Sequence, residues 1–220
     1  MKNQQRGFTL VEIAIVLVII GLLMGGVLKG QELINSAKVK NFANDFRTIP
    51  LYIYGYQDKF KALPGDDSGV VLHVNGTLAS TPGTVGNGVI EGNWDTVTLT
   101  DESALFWQHA RLAGLATGST TVANDNTYWP TNADGGRIGI ESGSAHYIKN
   151  ADGTFLQGSY VVCSTGILGK FAKQLDTTMD DGATDTGSMR VVATGHTRGN
   201  TALARANVDD ATSYTVCMGL

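Results

Sequence analysis

Between Phe8 and Leu28 the chain is apolar apart from Thr9 and a single ionisable side chain, Glu12. As a helix rising 1.5 Å per residue, this stretch is about 32 Å long, enough to cross the hydrocarbon core of a bilayer. A carboxylate at that depth costs a few kcal/mol, so an intramembrane acid calls for a partner. No basic residue lies within the stretch to neutralise Glu12. The residues therefore predict a positive charge on another copy of the chain. Lys2 and Arg6 precede the stretch with no acid beside them, which puts the N-terminus in the cytoplasm and everything after Gly30 outside the inner membrane.

Two ordinary explanations fit less well. A secretory signal also has a basic start and an apolar middle, but here the leader Met1–Gly7 is short and no A-x-A-like site comes after the apolar block. Glu12 would also interrupt the apolar core of such a signal. A plain single-pass anchor predicts an apolar residue at position 12 and no Gly-Phe boundary. The run Arg6-Gly7-Phe8-Thr9-Leu10-Val11-Glu12-Ile13 resembles the N-terminal signature of type IV pilins and the related pseudopilins. The resemblance implies cleavage between Gly7 and Phe8 by a prepilin peptidase, N-methylation of Phe8, and pairing of Glu12 with the amino group of a neighbouring subunit. It further implies other pilin subunits and an inner-membrane assembly platform as partners. The protein would sit in the bacterial inner membrane before assembly and in an extracellular pilus or periplasm-spanning filament afterwards. The likeness extends to Phe60 and says little of the residues beyond it.

Downstream, Val39, Phe42, Phe46, Ile49, Ile53, Tyr56 and Phe60 recur at alternating spacings of three and four, a helical stripe. One helix from near Phe8 to Phe60 is the economical reading, its second half lying on a globular head. Pro50 should bend it. Gly21, Gly25, Gly26 and Gly30 weaken the stretch between its halves, and the Gly21–Gly25 spacing also suits close helix packing. The expected organisation is a cleaved leader over 1–7, the N-terminal helix over 8–62 and a pilin-like head over 63–220. The expected fold class is α+β: a long N-terminal helix, half membrane-spanning and half amphipathic, packed on a C-terminal antiparallel β-sheet head.

Within the head, Leu63-Pro64-Gly65-Asp66-Asp67 ends the helix. Turns and short strands are expected over Ser68–Asp95, with Asn75-Gly76 and Asn87-Gly88 as hairpin turns. Thr100 should cap a short helix that carries Ala104, Leu105, Gln108 and Leu112 on one face and closes at Gly114. Trp107 and His109 read as packing and surface residues. Strands are expected at Arg137–Glu141, Ala145–Lys149 and Phe155–Cys163, the last two joined through Asp152-Gly153, with closing strands at Ser188–Ala193 and Tyr214–Met218. Phe171, Leu175 and Met179 share one face of a further helix.

The chain has two cysteines, Cys163 and Cys217, and no C-x-x-C. Outside the inner membrane they should be oxidised, the alternative being two buried thiols. A bridge between them would stabilise the head by roughly 4 kcal/mol. The family resemblance agrees, since many pilins carry such a bridge near the C-terminus.

No G-x-S-x-G, H-E-x-x-H, P-loop or G-x-G-x-x-G occurs, and His73, His109, His146 and His196 are scattered, so no catalytic residue is proposed. Asp176, Asp180, Asp181 and Asp185 form the one dense acidic group. Hard carboxylate oxygens beside a turn could hold calcium, and a solvated turn is the plainer reading. Asp66-Asp67 and the segment 87–95 are weaker candidates of the same kind. Losing the leader removes Lys2 and Arg6, taking the basic count from 16 to 14 against 20 acids, or about −6. That balance offers no general attraction for nucleic acid. Three function classes remain: a structural type IV pilus subunit, a pseudopilin of a type II secretion system, and a membrane-tethered enzyme or binding protein.

Overall fold

The computed structural model describes residues 9–80, 82–143, 148–150, 152–195 and 199–220. The chain divides into two units, Met1–Lys38 and Val39–Leu220. One helix, α1 (Leu10–Phe60, 51 residues), supplies residues to both and contains Pro50.

In the first unit the apolar side chains from Leu10 to Leu28 are exposed, and this part of α1 is long and apolar enough to cross a membrane. A methyl group added at Gly21, Gly25, Gly26 or Gly30 would meet nothing within 4 Å, so these glycines present open backbone to whatever packs there.

In the second unit the helical stripe is buried as its spacing predicts. Val39, Phe42, Phe46, Ile49, Ile53 and Tyr56 are all core residues. Phe60 is half-buried and stacks on His73 with centroids 5.1 Å apart. The sheet they serve has strands β1 (Ile138–Ser142), β3 (Tyr160–Leu168), β4 (Met189–Ala193) and β6 (Ser213–Gly219), in the order β1-β3-β6-β4. Every neighbouring pair is antiparallel. A parallel pair of two-residue strands, β2 (Ile148–Lys149) and β5 (Asn200–Thr201), lies apart from it. Alternation along the strands sorts the sheet into two faces. Ile140, Val162, Val191 and Val216 join the main core with the α1 stripe and with Phe171 of helix α4 (Gly169–Met179). Phe42 meets Phe171 at 6.2 Å between ring centroids. Val161, Val192, Cys163 and Cys217 point the other way, into a smaller cluster with Trp94, Ile148 and Leu156. The fold is thus α+β, with α1 and an antiparallel sheet, as expected.

Cys163 and Cys217 stand directly opposite each other on β3 and β6 and are bridged, across a sequence separation of 54. Closing a loop of that length is worth up to about 4 kcal/mol through the unfolded chain. Cys217→Ser is therefore expected to lower the melting temperature by several degrees. Peptide mapping without reduction should recover the two cysteine peptides joined. Recovery of both as separately alkylated peptides would contradict the bridge.

Several local expectations change. The segment 68–95 contains no strand among its described residues; it carries a short helix instead, α2 (Val70–Val74). Asn75-Gly76 is not a hairpin turn but the end of α2: Asn75 adopts the left-handed conformation (φ 54°, ψ 40°) and its amide reaches back to the Val71 carbonyl. Asparagine tolerates that conformation, which makes it a helix terminator as readily as a turn residue. Helix α3 (Glu102–Leu112) starts after Asp101, not Thr100, and is buried on all sides from Glu102 to Arg111, not on one face. Gly114 closes it with φ +76°. The strand expected at Phe155–Cys163 begins later, at Tyr160, and runs on through an irregularity between Ser164 and Ile167. Asp152-Gly153 does turn the chain, with an isolated antiparallel bridge between Lys149 and Phe155. Residues 145–147 of the expected second strand lie outside the described residues, as do His146 and His196.

Candidate functional site

Three places gather candidate functional side chains among the described residues. The first is the start of α1. Thr9 precedes the first helical residue, and Glu12 stands three positions on. The Thr9 amide and hydroxyl both donate to Glu12 Oε2, at 2.8 and 2.7 Å, and the Glu12 amide returns a bond to Thr9 Oγ1 at 3.3 Å. This is a reciprocal capping box. Glu12 has no basic partner within its stretch, as the sequence shows, but it is not left bare: Thr9 satisfies one of its two oxygens. The physical reason is local. A helix start leaves amides without acceptors, and a carboxylate at the third position both fills one and sits at the favourable end of the helix dipole. The T-x-x-E pattern was readable in the sequence. Gly7 and Phe8, the expected cleavage and methylation residues, lie outside the described residues.

The second place is the segment Leu63–Asp67, which is buried throughout. Gly65 takes φ +92°, and a Cβ there would stand 2.4 Å from the Glu102 carbonyl oxygen, so only glycine fits. Its amide donates to His109 Nδ1 at 2.9 Å, while His109 Nε2 faces the Thr77 carbonyl at 2.8 Å. An accepting Nδ1 fixes the proton on Nε2, and burial holds the imidazole neutral by lowering its pKa. His109 is thus a buried packing residue and not a surface one, and its two ring nitrogens also tie together the Gly65 and Thr77 backbones. Asp66 accepts the amides of Gly86, Asn87 and Gly88, which fixes that loop and explains why Asn87-Gly88 forms no hairpin. Asp67 accepts Tyr56 Oη and His73 Nδ1, each at 2.7 Å, and the Gly69 amide at 2.8 Å. Burial opposes its ionisation, but these bonds outweigh burial and hold Asp67 below the ordinary carboxylate range. Asp66 and Asp67 are therefore held by bonds within the fold, and among the described residues neither belongs to a convergent group of three metal-type ligands. Beside them Glu102 is fully buried, with Oε2 accepting the Glu91 amide and Oε1 lacking a partner. Desolvation, abetted by the Asp66 and Glu91 carboxylates, pushes its pKa up to about 8.

The third place is the acidic turn after α4. Asp176, Asp180 and Asp181 come together there, offering carboxylate oxygens that lie within 4.8 Å of one another; Asp185 is not part of that group. Asp180 accepts the Met189 amide and the Ser188 hydroxyl, and Asp181 accepts the Ala183 amide and the Thr186 hydroxyl. Asp176 is fully buried and neither of its oxygens accepts a well-formed hydrogen bond, although the Gly182 amide lies close enough to attract it. Burial, then the charges of Asp180 and Asp181, raise its pKa to about 6, partly offset by the Gly182 amide and Arg205.

Among known families, residues 2–28 match the prokaryotic N-terminal methylation motif. The chain carries a prepilin signature. That signature belongs to type IV pilin-like proteins, a structural and not an enzymatic class, and with the apolar α1 it points to membrane anchoring. It implies processing by a prepilin peptidase and assembly with other pilin-like subunits. No curated protein and no solved structure matches the chain.

Proposed function

We propose that this protein is a structural subunit of a type IV pilus, cut between Gly7 and Phe8, methylated at Phe8 and assembled through α1. The observation that carries the reading is the prepilin signature running directly into an exposed apolar helix with one acid near its start. In this reading the stretch up to Leu28 spans the inner membrane first and then packs in the filament core. Glu12 pairs with the amino group of a neighbouring subunit's first residue. The head, bridged near its C-terminus, forms the filament surface. A pseudopilin of a type II secretion system would share the N-terminal chemistry, so the location of the filament separates the two.

The mature chain is expected to begin at N-methylated Phe8. Mass spectrometry of the assembled form reads this directly, and Gly7→Asp should leave uncut precursor in the membrane. A mature N-terminus elsewhere in assembled material would overturn the processing. Sequencing the protein of sheared surface filaments tests the pilus itself. Finding the mature chain only in the periplasm-spanning filament of a secretion system would replace the pilus reading with the pseudopilin one.

A further inference from the structure

We propose that Asp176, Asp180 and Asp181 form a divalent-cation site, of the kind that takes calcium, closing the C-terminal end of α4. The carboxylate oxygens already converge within 4.8 Å of one another. Convergence alone is common in solvated acidic turns; the decisive feature is Asp176. Its side chain is fully buried, converges with the other two carboxylates, and has no well-formed hydrogen bond to either oxygen, the Gly182 amide offering only a weak attraction. Buried carboxylates are ordinarily paired, hydrogen-bonded or bound to a metal, because an unsatisfied one is costly.

The surroundings sharpen the need. Asp180 is the residue that ends α4, and its carboxylate converges with those of Asp176 and Asp181, where like charges repel. They sit at the C-terminal end of α4, where the helix dipole adds negative potential, and the last turn holds no basic residue. Nearby guanidinium groups direct their bonds elsewhere. Arg205 Nη1 donates to the Lys173 and Gly182 carbonyls and the Thr177 hydroxyl. Arg190 donates to the Thr186 and Met189 carbonyls and to Asn150 Oδ1. Asp180 and Asp181 meanwhile accept bonds from amides and hydroxyls that orient them, as outer groups orient metal ligands. An all-oxygen, carboxylate-rich set with a free bidentate member suits calcium, which takes six to eight oxygens in flexible geometry. Magnesium needs stricter octahedral geometry and gives up its waters reluctantly. A bound ion would tie the end of α4 to the turn that leads into β4, inside the segment closed by the disulfide.

The full-length protein, purified in detergent and stripped with chelator, is titrated with calcium chloride by calorimetry and then melted with and without the ion. One calcium per chain is expected, with a higher melting temperature. At a hundredfold excess over Kd the folded state should gain about a hundredfold in its folding equilibrium. Asp176→Asn should abolish binding and the calcium response while melting no lower than the stripped wild type, because it removes a repelled buried charge. Asp185→Asn should keep both. A flat calorimetric titration of the wild type, or Asp176→Asn binding as well as wild type, overturns the site. Equal loss in Asp176→Asn and Asp185→Asn overturns the assigned ligands in favour of diffuse attraction, and equal binding of magnesium overturns the assignment to calcium.

Discussion

Glu12→Ala is expected to insert and lose its leader normally but fail to enter filaments. The Thr9–Glu12 capping box means that the carboxylate can sit in lipid in the free subunit, half satisfied by the Thr9 amide and hydroxyl on Oε2. Neither bond uses Oε1. A neighbouring amino group at the same depth would find an acceptor already oriented by its own helix. Breaking a desolvated charge pair by removing one partner costs about 3–5 kcal/mol, which is more than a hundredfold in each subunit contact. Over many contacts along a filament that loss is prohibitive. The pair would also fix the axial register of one helix against the next, since a single offset brings the charges together.

The capping box supplies a control that separates two causes of failure. Glu12→Gln can keep the reciprocal bonds with Thr9, since glutamine serves in a capping box as glutamate does, but it carries no charge. If charge pairing drives assembly, Glu12→Gln fails as Glu12→Ala does. If the capped helix start is what matters, Glu12→Gln assembles and Glu12→Ala does not. Thr9→Ala should weaken the helix start by about 1 kcal/mol while keeping the charge. Counting incorporated subunits in sheared filaments by quantitative mass spectrometry distinguishes these outcomes. Wild-type incorporation of Glu12→Ala would show that the carboxylate does not drive assembly at all.

What was legible in the sequence was whatever depends on near neighbours. The stripe from Val39 to Tyr56 is set by helical periodicity, and each of its members is buried. The strands β4 and β6 arise from patterns a few residues long and fall within one residue of their expected bounds, and Phe171, Leu175 and Met179 all lie on α4 as their spacing predicts. The prepilin signature is a contiguous run. The hidden part depends on partners far along the chain. Leu63–Asp67 looks like a helix stop, and its Pro-Gly pair invites a turn. Yet Asp66 is fixed by amides at 86–88, and Gly65 by the imidazole of His109. A buried polar network is specified by complementarity between distant residues, which no local pattern encodes. The same holds for α3: its sequence reads as one-sided, but the loops after it, Tyr128 and the sheet cover it all round. In the acidic turn the residue types were readable, and only the structure divides them. Asp176 is buried with Asp180 and Asp181 beside it, and Asp185 is left out.

The buried Glu102 leads to the second large effect, a loss of head stability as pH rises toward the alkaline side. Its folded-state pKa is about 8, against an ordinary value of 4.5, because burial and the neighbouring carboxylates of Asp66 and Glu91 disfavour the ionised form. A raised acid of this kind binds its proton more tightly when folded than when unfolded. Its contribution is therefore fully present below about pH 4.5 and is lost as pH climbs through about 8. At full ionisation the loss is at most on the order of 5 kcal/mol, a large fraction of the stability of a domain. Asp45, half-buried on α1 and raised to about 6 by desolvation, works in the same direction over the lower part of that window. The comparison that isolates Glu102 is Glu102→Gln, which mimics the protonated acid. Its carbonyl can accept the Glu91 amide, and its amino group can donate toward Asp66. The variant should match the wild type near pH 4.5, exceed it in stability by a few kcal/mol at pH 8, and show a flatter slope between. Denaturant unfolding of the full chain in detergent across this pH range, followed by tryptophan emission, measures the difference. Parallel curves for the two proteins would mean that Glu102 ionises in the folded head as easily as in the unfolded chain, and that the amides and waters around Glu91 compensate its charge.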